Sequence, residues 1–187
     1  MKKHLLSLLL ALCSASAFAG VIGFDDLPGD ESDVVANGYA GLNWDNLGAI
    51  RADAYPGSGF ETGVVSPGNV AYNLYGATVT VSSADGNAFD FVGAYFTSAW
   101  LEQELAFDGL RGGELLYTSA TSFVIDTATP LWVQLDWSGI DTLVIYNSSG
   151  TQWAMDDFTV PEPASTSLFG LSMAGLALAR RRKRAPL

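Results

Sequence analysis

From residue 21 to residue 160 the apolar and polar positions follow a period of two, not the 3.6 of an amphipathic helix. The pattern is plainest in Ala88-Phe89-Asp90-Phe91-Val92-Gly93-Ala94-Tyr95-Phe96 and in Leu131-Trp132-Val133-Gln134-Leu135-Asp136-Trp137. In an extended chain such alternation sends one set of side chains to a core and the other to water. Further strands are predicted at Val21–Leu27, Gly41–Asn46, Val70–Leu74, Ala77–Val81, Gln103–Asp108, Glu114–Thr118, Ser122–Ile125, Thr142–Tyr146 and Trp153–Val160. Turn-forming runs such as Pro28-Gly29-Asp30, Pro56-Gly57-Ser58-Gly59, Asp85-Gly86-Asn87 and Arg111-Gly112-Gly113 fall between them. The pattern therefore predicts an all-β chain folded as an antiparallel β-sandwich of jelly-roll type, one domain over residues 20–160.

Both ends depart from this pattern. Residues 1–19 carry Lys2 and Lys3, a leucine-rich run from Leu5 to Leu12, and small residues at Ala17 and Ala19. This is the layout of a secretory signal peptide cut after Ala19, which makes the Sec translocon and signal peptidase partners of the nascent chain. A lipoprotein reading of Cys13 is weaker, because the bulky Leu12 stands where a small residue is needed. At the other end Pro161-Glu162-Pro163 stops any strand or helix. An uncharged segment, 165–179, follows, and then the basic cluster Arg180, Arg181, Arg182, Lys183 and Arg184. The segment is short for a spanning helix, which needs about 20 residues. With five cations held on the cytoplasmic side, a short transmembrane helix here would place the body outside the inner membrane.

Charge and composition narrow the function. Between Asp25 and Glu162 twenty acidic residues face two basic ones, Arg51 and Arg111, a formal charge of −18. Nucleic acid and anionic lipid are poor partners for such a body. The one cysteine, Cys13, and the one histidine, His4, both lie in the segment that is removed. The exported chain therefore has no disulfide, no Ser-His-Asp triad, no Cys-His pair and no histidine-ligated metal site.

Val160-Pro161-Glu162-Pro163-Ala164-Ser165, the apolar segment after it and the terminal arginine cluster together resemble the PEP-CTERM sorting signal. The resemblance implies recognition and processing by exosortase, an integral membrane enzyme, near the Pro-Glu-Pro motif. It also implies a protein held transiently in the inner membrane and then passed to the cell surface or extracellular matrix of a cell that makes exopolysaccharide and biofilm. It covers only the C-terminal end and says nothing of the body.

Two acidic pairs stand out in the body, Asp25-Asp26 in the first predicted strand and Asp156-Asp157 in the last. Each pair should send one carboxylate inward and one outward. If the first and last strands are neighbours, the carboxylates converge and would either bind a calcium ion or remain solvated edge aspartates capping backbone amides. The short patterns Phe24-Asp25-Asp26-Leu27, Gly38 to Asn46, Ser138 to Leu143 and Met155-Asp156-Asp157-Phe158 also resemble galactose-binding-like and carbohydrate-binding-module sandwiches. That resemblance implies a structural calcium at Asp25 or Asp26 and Asp156 or Asp157.

The body has five tryptophans, many for its size. Aromatic rings offer a flat apolar platform to the C–H faces of sugars, while neighbouring amides and carboxylates read the hydroxyls. Trp44, between Asn43 and Asp45, and Trp100, near Glu102 and Gln103, have suitable neighbours for a ligand platform. Trp132 and Trp153 alternate with aliphatic residues and are expected in the core. The reading is a non-catalytic surface or matrix protein associated with exopolysaccharide; the alternatives are an inert structural surface protein and a glycoside hydrolase using paired carboxylates such as Glu102 and Glu104.

Overall fold

The structure is a computed structural model and describes residues 20–30 and 33–161. The signal segment with Ala17 and Ala19, and the tail from Glu162 through the basic cluster Arg180–Arg184, lie outside the described residues. Among the described residues the strands are β1 Val21–Ile22, β2 Leu42–Asp45, β3 Leu47–Arg51, β4 Asn69–Asn73, β5 Val79–Ser83, β6 Phe89–Ser98, β7 Gln103–Arg111, β8 Glu114–Thr118, β9 Phe123–Ile125, β10 Leu131–Ile140, β11 Thr142–Asn147 and β12 Trp153–Thr159. A single-turn helix, α1 Gly59–Thr62, lies between β3 and β4.

The strands form two antiparallel sheets. The first runs β10-β6-β12-β4-β3 with β1 also on β12, and the second runs β2-β5-β11-β7-β8 with β9 also on β7. Buried rings tie the sheets face to face: Phe96 of β6 meets Phe107 of β7 edge-on at 5.5 Å, and Phe158 of β12 meets Trp44 of β2 at 5.2 Å. Val133, Met155, Val79, Val81, Leu143 and Ile145 fill the space between. This is the sandwich that the alternating pattern predicts, and its core-facing positions are the apolar half of that alternation.

The first and last strands are neighbours, with Val21 opposite Thr159 and Ile22 opposite Phe158. β1, however, ends at Ile22 and not at Leu27. Phe24 takes a left-handed backbone (φ 62°), and Leu27 N donates to Phe24 O at 3.2 Å, which closes a turn. Asp25 and Asp26 therefore sit in a turn and are both exposed. Strand β3 was not predicted: Leu47, Gly48, Ala49 and Ile50 are all buried, so the segment has no alternation to read.

Helix α1 starts at Gly59, the last residue of the predicted turn Pro56-Gly57-Ser58-Gly59. Ser58 Oγ accepts from Phe60 N at 3.2 Å, which caps the helix, and donates to Tyr55 O at 2.6 Å. Phe60 then packs with Ile50, Val70, Tyr72, Ala99 and Ala154 into a second apolar cluster. Ala154 neighbours Met155, which faces the main core, so this cluster covers the outer side of the first sheet.

Three β-bulges flank β6. Two lie in β10, between Gln134 and Trp137 and between Trp137 and Ile140, and one lies in β12 between Asp156 and Thr159. Asp136 (φ 50°), Gly139 (φ 72°) and Asp157 (φ 51°) take the left-handed conformations that accommodate them. At the same level the buried positions of β6 change from Phe89 and Phe91 to Ala94 and Phe96.

Candidate functional site

The four aspartates singled out in the sequence do not gather into a metal-holding group among the described residues. Asp25 Oδ1 accepts from Asn69 N at 2.9 Å, and Asp26 Oδ1 accepts from Tyr39 Oη at 2.6 Å. Burial, and then the bond to Asp26, push the Tyr39 phenol well above its usual range. Asp157 is half-buried in its bulge, and its N–H donates to Asp156 Oδ1 at 2.8 Å.

Asp156 is fully buried. Its Oδ2 accepts from Val65 N at 2.7 Å and Ser66 N at 2.8 Å; its Oδ1 accepts from Ser66 Oγ at 2.9 Å as well as from Asp157 N. Burial raises this carboxyl above its ordinary value of 3.8, and the four hydrogen bonds pull it part of the way back. Both oxygens thus face N–H and O–H donors, whereas calcium needs a shell of electron-pair donors. Among the described residues no three His, Cys, Asp or Glu side chains gather so as to hold a metal ion. The expected calcium set of Asp25, Asp26, Asp156 and Asp157 is therefore not assembled, and Asp156 acts as a clamp that fastens residues 65–66 to β12.

Trp44 is also placed differently from the expectation. It is 2% exposed, its Nε1 donates to Tyr39 O at 3.0 Å, and Phe24 and Phe158 meet its ring edge-on at 5.6 Å and 5.2 Å. Its polar neighbours Asn43 and Asp45 belong to the other face of β2, so they advertise an exposed ring that is in fact core. Trp153 is fully buried, as expected. Trp132 is not in the core; it lies half-buried beside Tyr95.

Trp100 is the ring that faces water, at 48% exposure. It follows the end of β6, where Ala99 is held on both sides: its N–H donates to Gln152 O at 3.0 Å, and its carbonyl accepts from Gly59 N at 3.0 Å. The indole is then fixed by Nε1 donating to Gln152 Oε1 at 2.9 Å, and by edge-on contacts of 5.6 Å with both Phe60 and Tyr55. Gln103 Nε2 reinforces the base, donating to Gln152 O at 3.0 Å and to Ser98 Oγ at 2.7 Å. Leu101 and Tyr55 are exposed beside the ring. The result is a rigid, half-open aromatic surface with an amide at its edge, which suits a flat C–H face with hydroxyls around it.

Sequence reasoning missed Tyr75. It is 92% exposed and has a left-handed backbone (φ 57°) in the turn between β4 and β5. The next residue, Gly76, packs against Gly150 and Thr151, and the following Gln152 holds Trp100, so both aromatics border the 150–152 turn. The available signal was the Tyr75-Gly76 pair between two strands, a place where an aromatic has no core to enter.

Residues 159–183 match the PEP-CTERM protein-sorting motif, so the chain carries that sorting signal at its C-terminus. Among solved structures the chain is similar to TmCBM61 in complex with β-1,4-galactotriose, at 10% identity and a TM-score of 0.35, over 68% of this chain and 94% of the other. No curated protein matches. Among the described residues no helix is long and apolar enough to cross a membrane.

Proposed function

We propose that this is an exported surface or extracellular-matrix protein, delivered through its C-terminal signal by exosortase, whose jelly-roll body binds polysaccharide without catalysing its breakdown. The sorting motif over residues 159–183 supports the first half of the reading. In that half the tail anchors the chain in the inner membrane until it is processed near Pro161. Changing Arg180–Arg184 together to alanine is expected to leave the unprocessed precursor in the membrane fraction; normal release of the processed body would overturn the sorting role of the cluster.

The observation that carries the second half is Trp100, whose exposed ring is held in one orientation by Gln152 and by the edges of Phe60 and Tyr55. A ring immobilised before binding loses little rotamer entropy on contact with a sugar. The test is calorimetric titration of the chain with the extracellular polysaccharide of the producing cell. Saturable heat is expected, weakened about tenfold or more in Trp100→Ala, which corresponds to about 1.4 kcal/mol. No heat from a folded chain would favour an inert structural surface protein, and release of new reducing ends during the titration would instead reveal a hydrolase.

A further inference from the structure

The outer side of the first sheet carries a second pair of rings. On β6 and β10 the core positions are Ala94, Phe96 and Val133, so their neighbours Tyr95 and Trp132 face the other way. These two residues are directly opposite in the register, and their ring centroids are 5.0 Å apart. Trp132 can lie against the sheet because the position beside it is Gly93: a Cβ there would come within 2.9 Å of the indole Cζ2 and within 2.3 Å of Val133 O. Among the described residues, no hydrogen bond takes up Tyr95 Oη or Trp132 Nε1.

Polar groups border the pair. Gln134, two residues after Trp132 on the same side of β10, donates from Nε2 to Asp136 Oδ2 at 2.6 Å, and both side chains are exposed. The first bulge in β10, between Gln134 and Trp137, brings these two residues together, and the bulge in β12 sets Asp157 on the other flank of β6. The arrangement combines an apolar ring surface, an oriented amide, and carboxylates at the margin. Of the two basic residues of the body, Arg51 lies on β3, and Arg111, on β7, reaches only the far end of β10, where its Nη1 donates to Gly139 O at 3.4 Å.

We propose that Trp132, Tyr95, Gln134 and Asp136 form a second saccharide-binding face, which takes an uncharged hexopyranose chain. The rings receive the C–H face of one sugar; the Gln134 amide donates to or accepts from its hydroxyls, and the Asp136 carboxylate accepts from them. A uronate or sulfated polymer is repelled by Asp136 and Asp157, which no ion pair neutralises among the described residues. The inference shares its ligand chemistry with the proposed function but does not depend on Trp100. Helix α1 touches Trp100 through Phe60, while Thr62 Oγ1 donates to Thr127 O at 2.7 Å in the turn that leads to β10. Trp100 follows the end of β6, whereas Tyr95 lies within β6 and Trp132 on β10, so one chain would hold polysaccharide at two points.

Native electrophoresis of the full chain through gels containing soluble glucan, galactan or mannan, with alginate as the anionic polymer, tests this. At least one neutral polymer is expected to retard the wild-type chain while alginate does not. Trp132→Ala is expected to raise the apparent Kd about tenfold. Trp132→Tyr should recover most of the retardation, and Gln134→Ala, which leaves the rings in place, should weaken it. If Trp100→Ala weakens binding and Trp132→Ala does not, the proposed function stands and this second face is overturned. The reverse result retains the second face and removes the Trp100 platform. Retardation by alginate alone, or by none of the four polymers, overturns the inference.

Discussion

Replacing Asp156 by alanine is expected to destabilise the folded chain by about 3 kcal/mol and to lower Tm by about 10 °C. The carboxylate accepts four hydrogen bonds inside the protein, three of them from backbone N–H groups at Val65, Ser66 and Asp157. Alanine leaves those part-buried donors unpaired, and it frees the 65–66 segment from the sheet. Differential scanning calorimetry measures the change; a Tm within about 2 °C of wild type would show that the clamp contributes little.

The pH dependence separates burial from hydrogen bonding at the same residue. Burial raises the folded-state pKa of Asp156 above its ordinary 3.8, so the folded chain holds this proton more tightly than the unfolded chain does. The proton-linked part of its contribution is complete below the unfolded value and is lost as the pH rises through the folded value, while the hydrogen bonds to the carboxylate remain. Asparagine keeps the size of the side chain but leaves one acceptor oxygen in place of two. The deficit of Asp156→Asn relative to wild type should therefore shrink as the pH rises from below 3.8 through the folded value. A deficit that grows over that interval would mean that the four hydrogen bonds outweigh burial and lower the pKa.

What could be read from the sequence depended on how local the determining contacts are. The sorting signal is contiguous, so proline, apolar and basic elements in order identify it, and the match over residues 159–183 agrees. Strands such as β6, β7 and β10 were legible because a half-buried strand writes its burial as alternation. β3 was not, because it is buried on both faces. The turn at Phe24 was hidden because a bulky aromatic rarely adopts positive φ, and so Asp25 and Asp26 were assigned to a strand. Asp156 is clamped by groups about 90 residues earlier in the chain, and Trp100 is fixed by Gln152, 52 residues later. No window of sequence shows such partners. Trp44 illustrates the opposite hazard, since the polar residues beside it belong to the far face of its strand.

Gly59→Ala should destabilise the chain by about 3 kcal/mol, although it adds one methyl group. A Cβ at Gly59 would stand 1.8 Å from Ser98 O, 2.6 Å from Ser98 C and 3.0 Å from Ala99 Cα. All three are backbone atoms at the end of β6, so no rotamer change relieves the overlap, and α1 must lift. Lifting breaks the bond from Gly59 N to Ala99 O and withdraws Phe60, which is 1% exposed and supports both Tyr72 and Trp100 at 5.6 Å. The variant is therefore expected to melt about 10 °C lower and, while still folded, to bind polysaccharide more weakly, because the Trp100 ring has lost one of its two edge supports. Trp100→Ala provides the contrast: it removes a half-exposed ring and should weaken binding with a change in stability below about 1 kcal/mol. If Gly59→Ala lowers Tm but binds like wild type, Gln152 and Tyr55 are sufficient to hold the ring. If it melts like wild type, the backbone approach between α1 and β6 is not as close as described, and the support for Trp100 must come from elsewhere.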